Sequence, residues 1–422
     1  MASKTKRDLI TSLGSQIGYK LVGFLTVALL ARHLDKDDYG RLTMSLSLCA
    51  AVVLLTDLGL SADLVRKVAV KPSRIKALLT TTVSTRIPLL VAFVVCINVV
   101  VALVKPDLLP VVAGISVYTA LKDLQRTYSS AFTGLRRIKR SIASFSSGII
   151  VTLVGVILAS QLDLGNMWIL VAYLAGGATM LFSGVYLFKR IHGPIHPTFS
   201  WETIRANAFQ AFGLFALSGL SYVHYALDTI SLGFLSSYDE VANYEVASRL
   251  YEASQFAIRP VTLIMFPISA KLVSDGSWIQ FRNLLNRMFL ASASIGVCAW
   301  LITLALAGQI MSFIYSESFA NSAPILQLLF AATPFLYIAT VGLFISASQN
   351  RESFACIVVL SAILVKILAN LWVIPNYGTY GTAVVNLITQ SAIAIILCVD
   401  AYRSIPKIGK LDQPQPPSSD IK

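Results

Sequence analysis

Apolar residues in this chain seldom alternate with polar ones; they run nearly unbroken for about twenty positions and then stop at a short polar connection. A hydrocarbon core of about 30 Å is crossed by roughly 20 mostly apolar residues of helix, so each run predicts a transmembrane helix. The runs cover residues 9–31, 42–61, 83–104, 108–131, 142–160, 167–188, 206–231, 241–264, 288–310, 323–347, 354–374 and 380–401, the fourth and eighth being the least apolar. The expected fold class is therefore an all-α integral membrane protein of about 12 transmembrane helices.

The polar connections set its orientation, because Lys and Arg in short loops are retained on the cytoplasmic side. Basic clusters flank every second connection: Lys4, Lys6 and Arg7 before the first run, Arg66 to Lys76 after the second, Arg136 to Arg140 after the fourth, and Lys189 and Arg190 after the sixth. Lys271, Arg282 and Arg287 follow the eighth, Arg351 the tenth, and Arg403, Lys407 and Lys410 the twelfth. The alternate connections carry few bases, mixed with acids such as Asp35, Asp37, Asp38 and Asp107. Both termini are expected in the cytoplasm of a bacterial cell, with a multi-pass chain in the inner membrane. The net charge of +13 is then a property of successive inner loops facing anionic lipid, and nucleic acid is excluded as a partner. The first run is too long for a signal-peptide core and is retained as a span. Cys49, Cys96, Cys298, Cys356 and Cys398 all fall inside spans and read as packing residues rather than a disulfide framework.

Gly193, Pro194 and Pro197 interrupt the pattern between the sixth and seventh runs. They divide the chain into an N-lobe over residues 1–190 with helices 1–6, a cytoplasmic linker over 191–204, a C-lobe over 205–403 with helices 7–12, and a Pro- and Ser-rich disordered cytoplasmic tail over 404–422. His192 and His196 in the linker lack a third metal ligand. Tyr39 to Leu48, opening the second run, aligns without a gap with Val241 to Leu250, opening the eighth. Both enter the bilayer from the same side, which makes the halves a parallel repeat of the kind that places a transporter's substrate site between them. Channels are also built from repeats.

Ionisable residues inside the membrane cost about 2.5–3.5 kcal/mol each on insertion scales, and they mark cavities and transport pathways. Glu245, Arg249, Glu252, Phe256 and Arg259 step by helical spacing and form one stripe of alternating sign in the eighth run. The stripe reads either as a self-neutralising structural ladder or as a cavity wall whose arginines hold an anion, and the second is the expectation. Arg259 has no acid one turn away. Lys20, Asp57 and Lys366 are single charges in the first, second and eleventh runs, and Lys122, Asp123 and Arg126 sit on the fourth beside Ser129, Ser130 and Thr133. That polar face reads equally as cavity lining or as an interhelical contact. Ser221, His224 and Asp228 on the seventh run read as a proton-carrying pair or as a satisfied polar contact. Gly14 and Gly18 form a small-residue packing face. The expected anion contacts are Lys20, Arg126, Arg249, Arg259 and Lys366, with Asp57, His224, Asp228, Glu245 and Glu252 as cavity acids and coupling groups. Arg suits phosphate because its planar fork grips two oxygens at once.

The chain carries no Gly-rich phosphate loop ending in Lys-Ser or Lys-Thr, no His-Glu-x-x-His helix, and no cluster of loop acids that would bind a metal-linked sugar donor. An enzyme is not expected, and no cofactor is required beyond coupling to protons, another ion gradient or the membrane potential.

Ala31 to Gly40, Asp57 to Ser61 before Arg66, Ala131 to Arg137 and Ile374 to Thr382 resemble loop and span-closing motifs of the polysaccharide-transporter branch of the multidrug, oligosaccharidyl-lipid and polysaccharide exporter superfamily. The resemblance covers almost the whole chain. It implies a V-shaped molecule of two six-helix lobes around a central cavity lined by the first, second, seventh and eighth helices. It also implies an O-antigen-type flippase whose cargo is a polyprenyl diphosphate carrying an oligosaccharide, working among membrane lipids with a polysaccharide polymerase and glycosyltransferases. The diphosphate would meet Arg249, Arg259 and Lys20. Two other readings stay open: a multidrug antiporter of the same superfamily, which would need acids to dominate the cavity, and a non-transporting scaffold in a polysaccharide synthesis complex.

Overall fold

A computed structural model of the chain describes residues 22–199, 219–220, 222–349 and 351–406. Lys20, the Gly14 and Gly18 face, part of the linker and most of the tail lie outside the described residues. Every described element is helical. In chain order these are α1 (Val22–His33), α2 (Lys36–Asp57), α3 (Leu60–Val70), α4 (Ile75–Val104), α5 (Leu109–Gly134), α6 (Ile138–Gln161) and α7 (Asn166–His192). They continue as α8 (222–235), α9 (Tyr238–Ser254), α10 (Arg259–Ser274), α11 (Trp278–Ile314), α12 (Ala323–Ala331), α13 (Thr333–Ser348) and α14 (Glu352–Arg403).

Among the described residues, seven helical stretches are long and apolar enough to cross a bilayer: Lys36–Asp57, Pro72–Val104, Ile138–Gln161, Asn166–His192, Trp278–Ile314, Glu317–Ser348 and Glu352–Arg403. Their burial is that of a membrane protein. Only 22% of the most apolar window of Pro72–Val104 is buried. On α14, Ile357, Leu360, Leu364, Leu368 and Leu371 are exposed at steps of three and four residues, a continuous apolar stripe. In water such a surface would drive aggregation, whereas in lipid it carries no penalty. The stretch α5 is not among the seven because its middle holds Lys122, Asp123 and Arg126.

Three departures from the sequence expectation have local causes. The second span ends at Asp57 instead of running to Ser61, because Leu58 and Gly59 take left-handed backbone angles (φ 43° and 83°) and turn the chain into α3. The eighth span is not one helix: α9 stops at Ser254, a turn covers Gln255 to Ile258, and α10 restarts at Arg259 with Pro260 in its first turn. The eleventh and twelfth runs form α14, whose two parts meet at Gly378 (φ 54°, ψ −138°), a conformation open to glycine.

The chain divides into two compact units, Met1–Val246 with Met311–Asn321, and Ala247–Ile310 with Ser322–Lys422. In the first, Leu64, Val68, Leu79, Val83, Tyr128, Phe132 and Phe188 bring α3, α4, α5 and α7 into one core. The Phe188 ring lies 6.1 Å from Tyr128 and 6.2 Å from Phe132. Helices α6 and α7 approach closely at small residues: a Cβ on Gly148 would overlap Met180 and the Gly176 carbonyl, and one on Gly155 would press on Ala172. Without a hydrophobic drive between helices in lipid, this backbone proximity is the source of attraction. The second unit uses the same device, Gly342 of α13 seating against Leu397 of α14. There Arg351 also pairs with Asp400 at 2.8 Å, tying the start of α14 to its end.

Candidate functional site

The site begins at the α2–α3 break. Once α2 has ended, the Asp57 carboxylate is free to accept hydrogen bonds from the backbone N–H of Ser61 (3.2 Å) and its hydroxyl (2.7 Å), capping the first turn of α3. Arg86 of α4 then reaches the same carboxylate, its Nη2 lying 3.0 Å from Asp57 Oδ1. The same nitrogen bonds Asp123 Oδ2 of α5. Nη1 donates to Ser61 Oγ (3.1 Å) and to Thr127 Oγ1 (2.8 Å), one turn along α5 from Asp123. None of Arg86 is exposed. Four helices are thus tied through one guanidinium, and the attraction between it and the two carboxylates offsets part of the cost of burying them.

This cluster forms part of the wall of a cavity of about 710 Å³ within the first unit. Lys122 and Arg126, one turn apart on α5, also line it, followed along the helix by Ser129 and Thr133. Ser141 and Phe145 of α6 and Tyr222 of α8 line it as well. Lys122 and Arg126 are exposed to the cavity. Arg126 makes no hydrogen bond or ion pair among the described residues, and the nearby acids Asp57 and Asp123 are both engaged with Arg86. Lys122 and Arg126 place two positively charged groups side by side on the wall, an arrangement suited to an anion. Lys122, Arg126, Ser129 and Thr133 of the α5 polar face all line this cavity. Arg86 was missed by sequence reasoning, though an Arg next to Ser84 and Thr85 at the start of an otherwise apolar run was a usable signal.

The other sequence candidates are distributed differently. His224 and Asp228 of α8 are buried, and Asp228 Oδ2 accepts from the Tyr244 hydroxyl at 2.7 Å. Glu245 accepts from Thr229 at 2.7 Å. These bonds join α8 to α9. The stripe over residues 245–259 is divided by the turn at Gln255 to Ile258, so Arg259 does not continue the α9 face. Its guanidinium lies 5.5 Å from the Phe256 ring centroid, and it is exposed. Arg249 and Glu252 form a partly exposed pair at 3.6 Å. In the second unit Lys366 is fully buried and donates to Asn386 Oδ1 at 3.1 Å.

A second polar cluster lies at the opposite end of α2, before the apolar runs. The Tyr238 ring lies between two cations, 4.5 Å from the Arg41 guanidinium carbon and 4.4 Å from Lys105 Nζ, and its hydroxyl donates to Asp107 Oδ2 at 2.6 Å. Lys105 also bonds the Gly233 carbonyl, and Gly40 leaves no room for a Cβ beneath the Tyr238 carbonyl. Burial pushes the Lys105 ammonium below its usual range, and burial with the Asp107 hydrogen bond pushes the Tyr238 phenol up.

A profile of the family described as polysaccharide biosynthesis protein matches residues 5–273, well over half of the chain. The chain belongs to that family. Its relatives within the polysaccharide-transporter branch include the lipopolysaccharide biosynthesis protein WzxC of Escherichia coli (strain K12), 21% identical over 313 residues that make up 73% of this chain and 62% of WzxC. A putative O-antigen transporter of Shigella dysenteriae is 24% identical over 273 residues, 63% of this chain and 66% of that protein. The matches thus span just under two thirds of the length of these relatives. Among solved structures, the lipid II flippase MurJ in its inward closed conformation superposes with a TM-score of 0.75 at 12% identity, covering 94% of this chain and 88% of MurJ. An inward-facing multidrug resistance MATE family transporter of the MOP superfamily gives 0.70 at 13% identity, covering 92% and 94%. These two establish the fold. The family's matched region includes every described residue of the cavity wall.

Proposed function

We propose that this chain is a flippase that carries a polyprenyl-diphosphate-linked oligosaccharide across the bacterial cytoplasmic membrane for surface polysaccharide synthesis, by alternating access of two six-helix lobes whose termini are both cytoplasmic. The observation that carries the reading is Arg126: an exposed guanidinium that makes no hydrogen bond or ion pair among the described residues, beside Lys122, on a cavity whose own carboxylates are engaged by Arg86. A diphosphate fits that wall, because two neighbouring cations supply charge-assisted hydrogen bonds to several phosphate oxygens. The names of the relatives, an O-antigen transporter and a lipopolysaccharide biosynthesis protein, support the same cargo class.

In this scheme the diphosphate enters the cavity beside Lys122 and Arg126, the sugars follow through water, and the polyprenyl chain stays in lipid. Reorientation requires cargo or a coupling ion to bind the two states differently, since equal affinity shifts no population. The multidrug-antiporter alternative is less well supported, because a wall bearing Lys122 and Arg126 repels organic cations. The test is translocation of a lipid-linked oligosaccharide by the purified chain in proteoliposomes. Wild-type protein moves it, and Arg126→Ala with Lys122→Ala does not; equal rates in both overturn the assignment.

A further inference from the structure

The turn from α5 into α6 is built from bases. Arg136 takes a left-handed backbone angle (φ 56°), and the N–H groups of Arg136 and Arg137 donate to the carbonyls of Thr133 and Phe132, both at 2.8 Å, which closes α5 as a Schellman motif. Arg137 then stands at the N-cap of α6, whose first turn holds Lys139 and Arg140 and has no side-chain cap. An uncapped helix start adds the partial positive charge of its N–H groups to these cations.

Packing brings the end of α7 to the same place. Gly148 meets Gly176 and Met180 while Gly155 meets Ala172, so α6 and α7 run antiparallel, and the Ser183 hydroxyl donates to the Ser144 carbonyl at 2.9 Å. Arg140, one turn before Ser144, is thereby set beside the last turn of α7, which carries Lys189, Arg190 and His192. The His192 ring lies 5.0 Å from Phe188, itself 6.2 Å from Phe132, and Arg137 and Arg140 are within electrostatic reach of it. Lys76 of α4 joins them, its Nζ 3.6 Å from where a Cβ on Gly193 would stand. Among the described residues Lys76, Arg137, Arg140, Lys189 and Arg190 form no ion pair, and Asp63 of α3 is matched by Arg66 (3.0 Å) and Lys67 (2.6 Å). Arg140 is half-buried, and its Nη1 and the Nε2 of His192 are enclosed without a hydrogen-bond partner among the described residues. Enclosed polar nitrogens beside unmatched cations are costly, and an anion seated there relieves both.

We propose that this basic end of α6 and α7 is a binding site for the phosphate of one anionic glycerophospholipid. The Arg137 and Arg140 guanidiniums offer paired donors to its oxygens, and Lys76 adds charge. A membrane lipid suits the place better than a dissolved phosphate because an apolar stripe leads to it. Phe182 and Tyr186 of α7 are exposed, stack at 6.2 Å and step by four residues toward Arg190, so acyl chains lie along the stripe with the phosphate at its basic end. A zwitterionic headgroup would bring an ammonium into the same cluster and be repelled. On α6 the cavity is lined by Ile138, Ser141, Ile142 and Phe145, whereas Ser144 turns toward α7, so the lipid site lies on a different face and does not depend on the identity of the cargo.

Native mass spectrometry of the full-length protein in detergent, titrated with phosphatidylglycerol and separately with phosphatidylcholine, reads the site. The expected result is one saturable phosphatidylglycerol per chain, bound about 10-fold or more tighter than phosphatidylcholine, and Arg137→Gln with Arg140→Gln should abolish that preference. Arg282→Gln with Arg287→Gln, which removes the same charge from exposed positions of α11 in the second unit, should leave it intact. Wild-type protein that does not distinguish the two lipids overturns the proposal without recourse to any variant. An equal loss in the α11 variant means diffuse attraction to basic loops and overturns it too, as does displacement of the lipid by an equal concentration of glycerol phosphate, which would make the site one for a dissolved anion. Melting curves guard against misfolding: phosphatidylglycerol should raise the thermal midpoint of the wild type and leave that of the Arg137, Arg140 double variant unchanged.

Discussion

The Arg86 guanidinium meets the Asp57 carboxylate at 3.0 Å with none of the arginine exposed, joining α4 to the turn that ends α2. Removing one partner of a buried pair leaves the other uncompensated, at a cost of about 3–5 kcal/mol. Arg86→Met should therefore lower the thermal midpoint of the detergent-solubilised protein by many degrees. The triple variant Arg86→Met, Asp57→Asn, Asp123→Asn should recover much of the loss, because it strands no charge. A triple variant no more stable than the single one would show that the cluster is not the source of the effect.

Arg126 presents the opposite case, since it is exposed and supports nothing else in the described structure. Arg126→Ala should change stability by less than about 0.5 kcal/mol. If it holds a phosphate oxygen through charge-assisted hydrogen bonds worth about 1.5–3 kcal/mol, affinity for a polyprenyl diphosphate should fall by about 10-fold or more. Equilibrium binding beside a melting curve separates the two effects.

Tyr238 should confer an alkaline limit on stability. Its phenol is held protonated to higher pH in the folded chain than in the unfolded one, so the folded state binds more protons once pH exceeds about 10. Its contribution is complete below that pH and declines above it. Tyr238→Phe, which cannot titrate, should flatten this part of the pH–stability curve and lower stability at neutral pH by about 0.5–3 kcal/mol for the lost bond to Asp107. Unfolding followed from neutral to strongly alkaline pH measures both.

The α6–α7 pair should tolerate no side chain at its closest approach. Gly148→Val drives a branched side chain into Met180 and the Gly176 carbonyl, and should cost about 1–3 kcal/mol or force the helices apart. Gly114→Ala meets Leu170 at an ordinary 3.6 Å and should be nearly neutral. Comparing the folded yields of the two variants tests whether backbone proximity holds this pair.

The membrane class of the protein was legible in the chain itself, because a continuous apolar run long enough for a bilayer has few other uses and is a property of local composition. The motif from Asp57 to Ser61 was legible as the close of the second span, but the break at Leu58 and Gly59 inside it was not, because the apolar pattern runs on to Ser61. The partners of a buried charge were not legible. Asp57, Arg86 and Asp123 lie on three helices far apart in sequence, and helical spacing relates only residues on the same helix. Arg86 therefore carries no periodic signal in the sequence, whereas the stripe from Glu245 to Arg259 does. The stripe in turn rested on a helix continuing through Gln255 to Ile258, although Pro260 just beyond marks the start of a new helix. Which cations are neutralised was decided only by tertiary structure, because pairing depends on distances of about 3 Å between helices: Arg86 is buried between Asp57 and Asp123, while Arg126 is exposed on the cavity wall that those two acids also line.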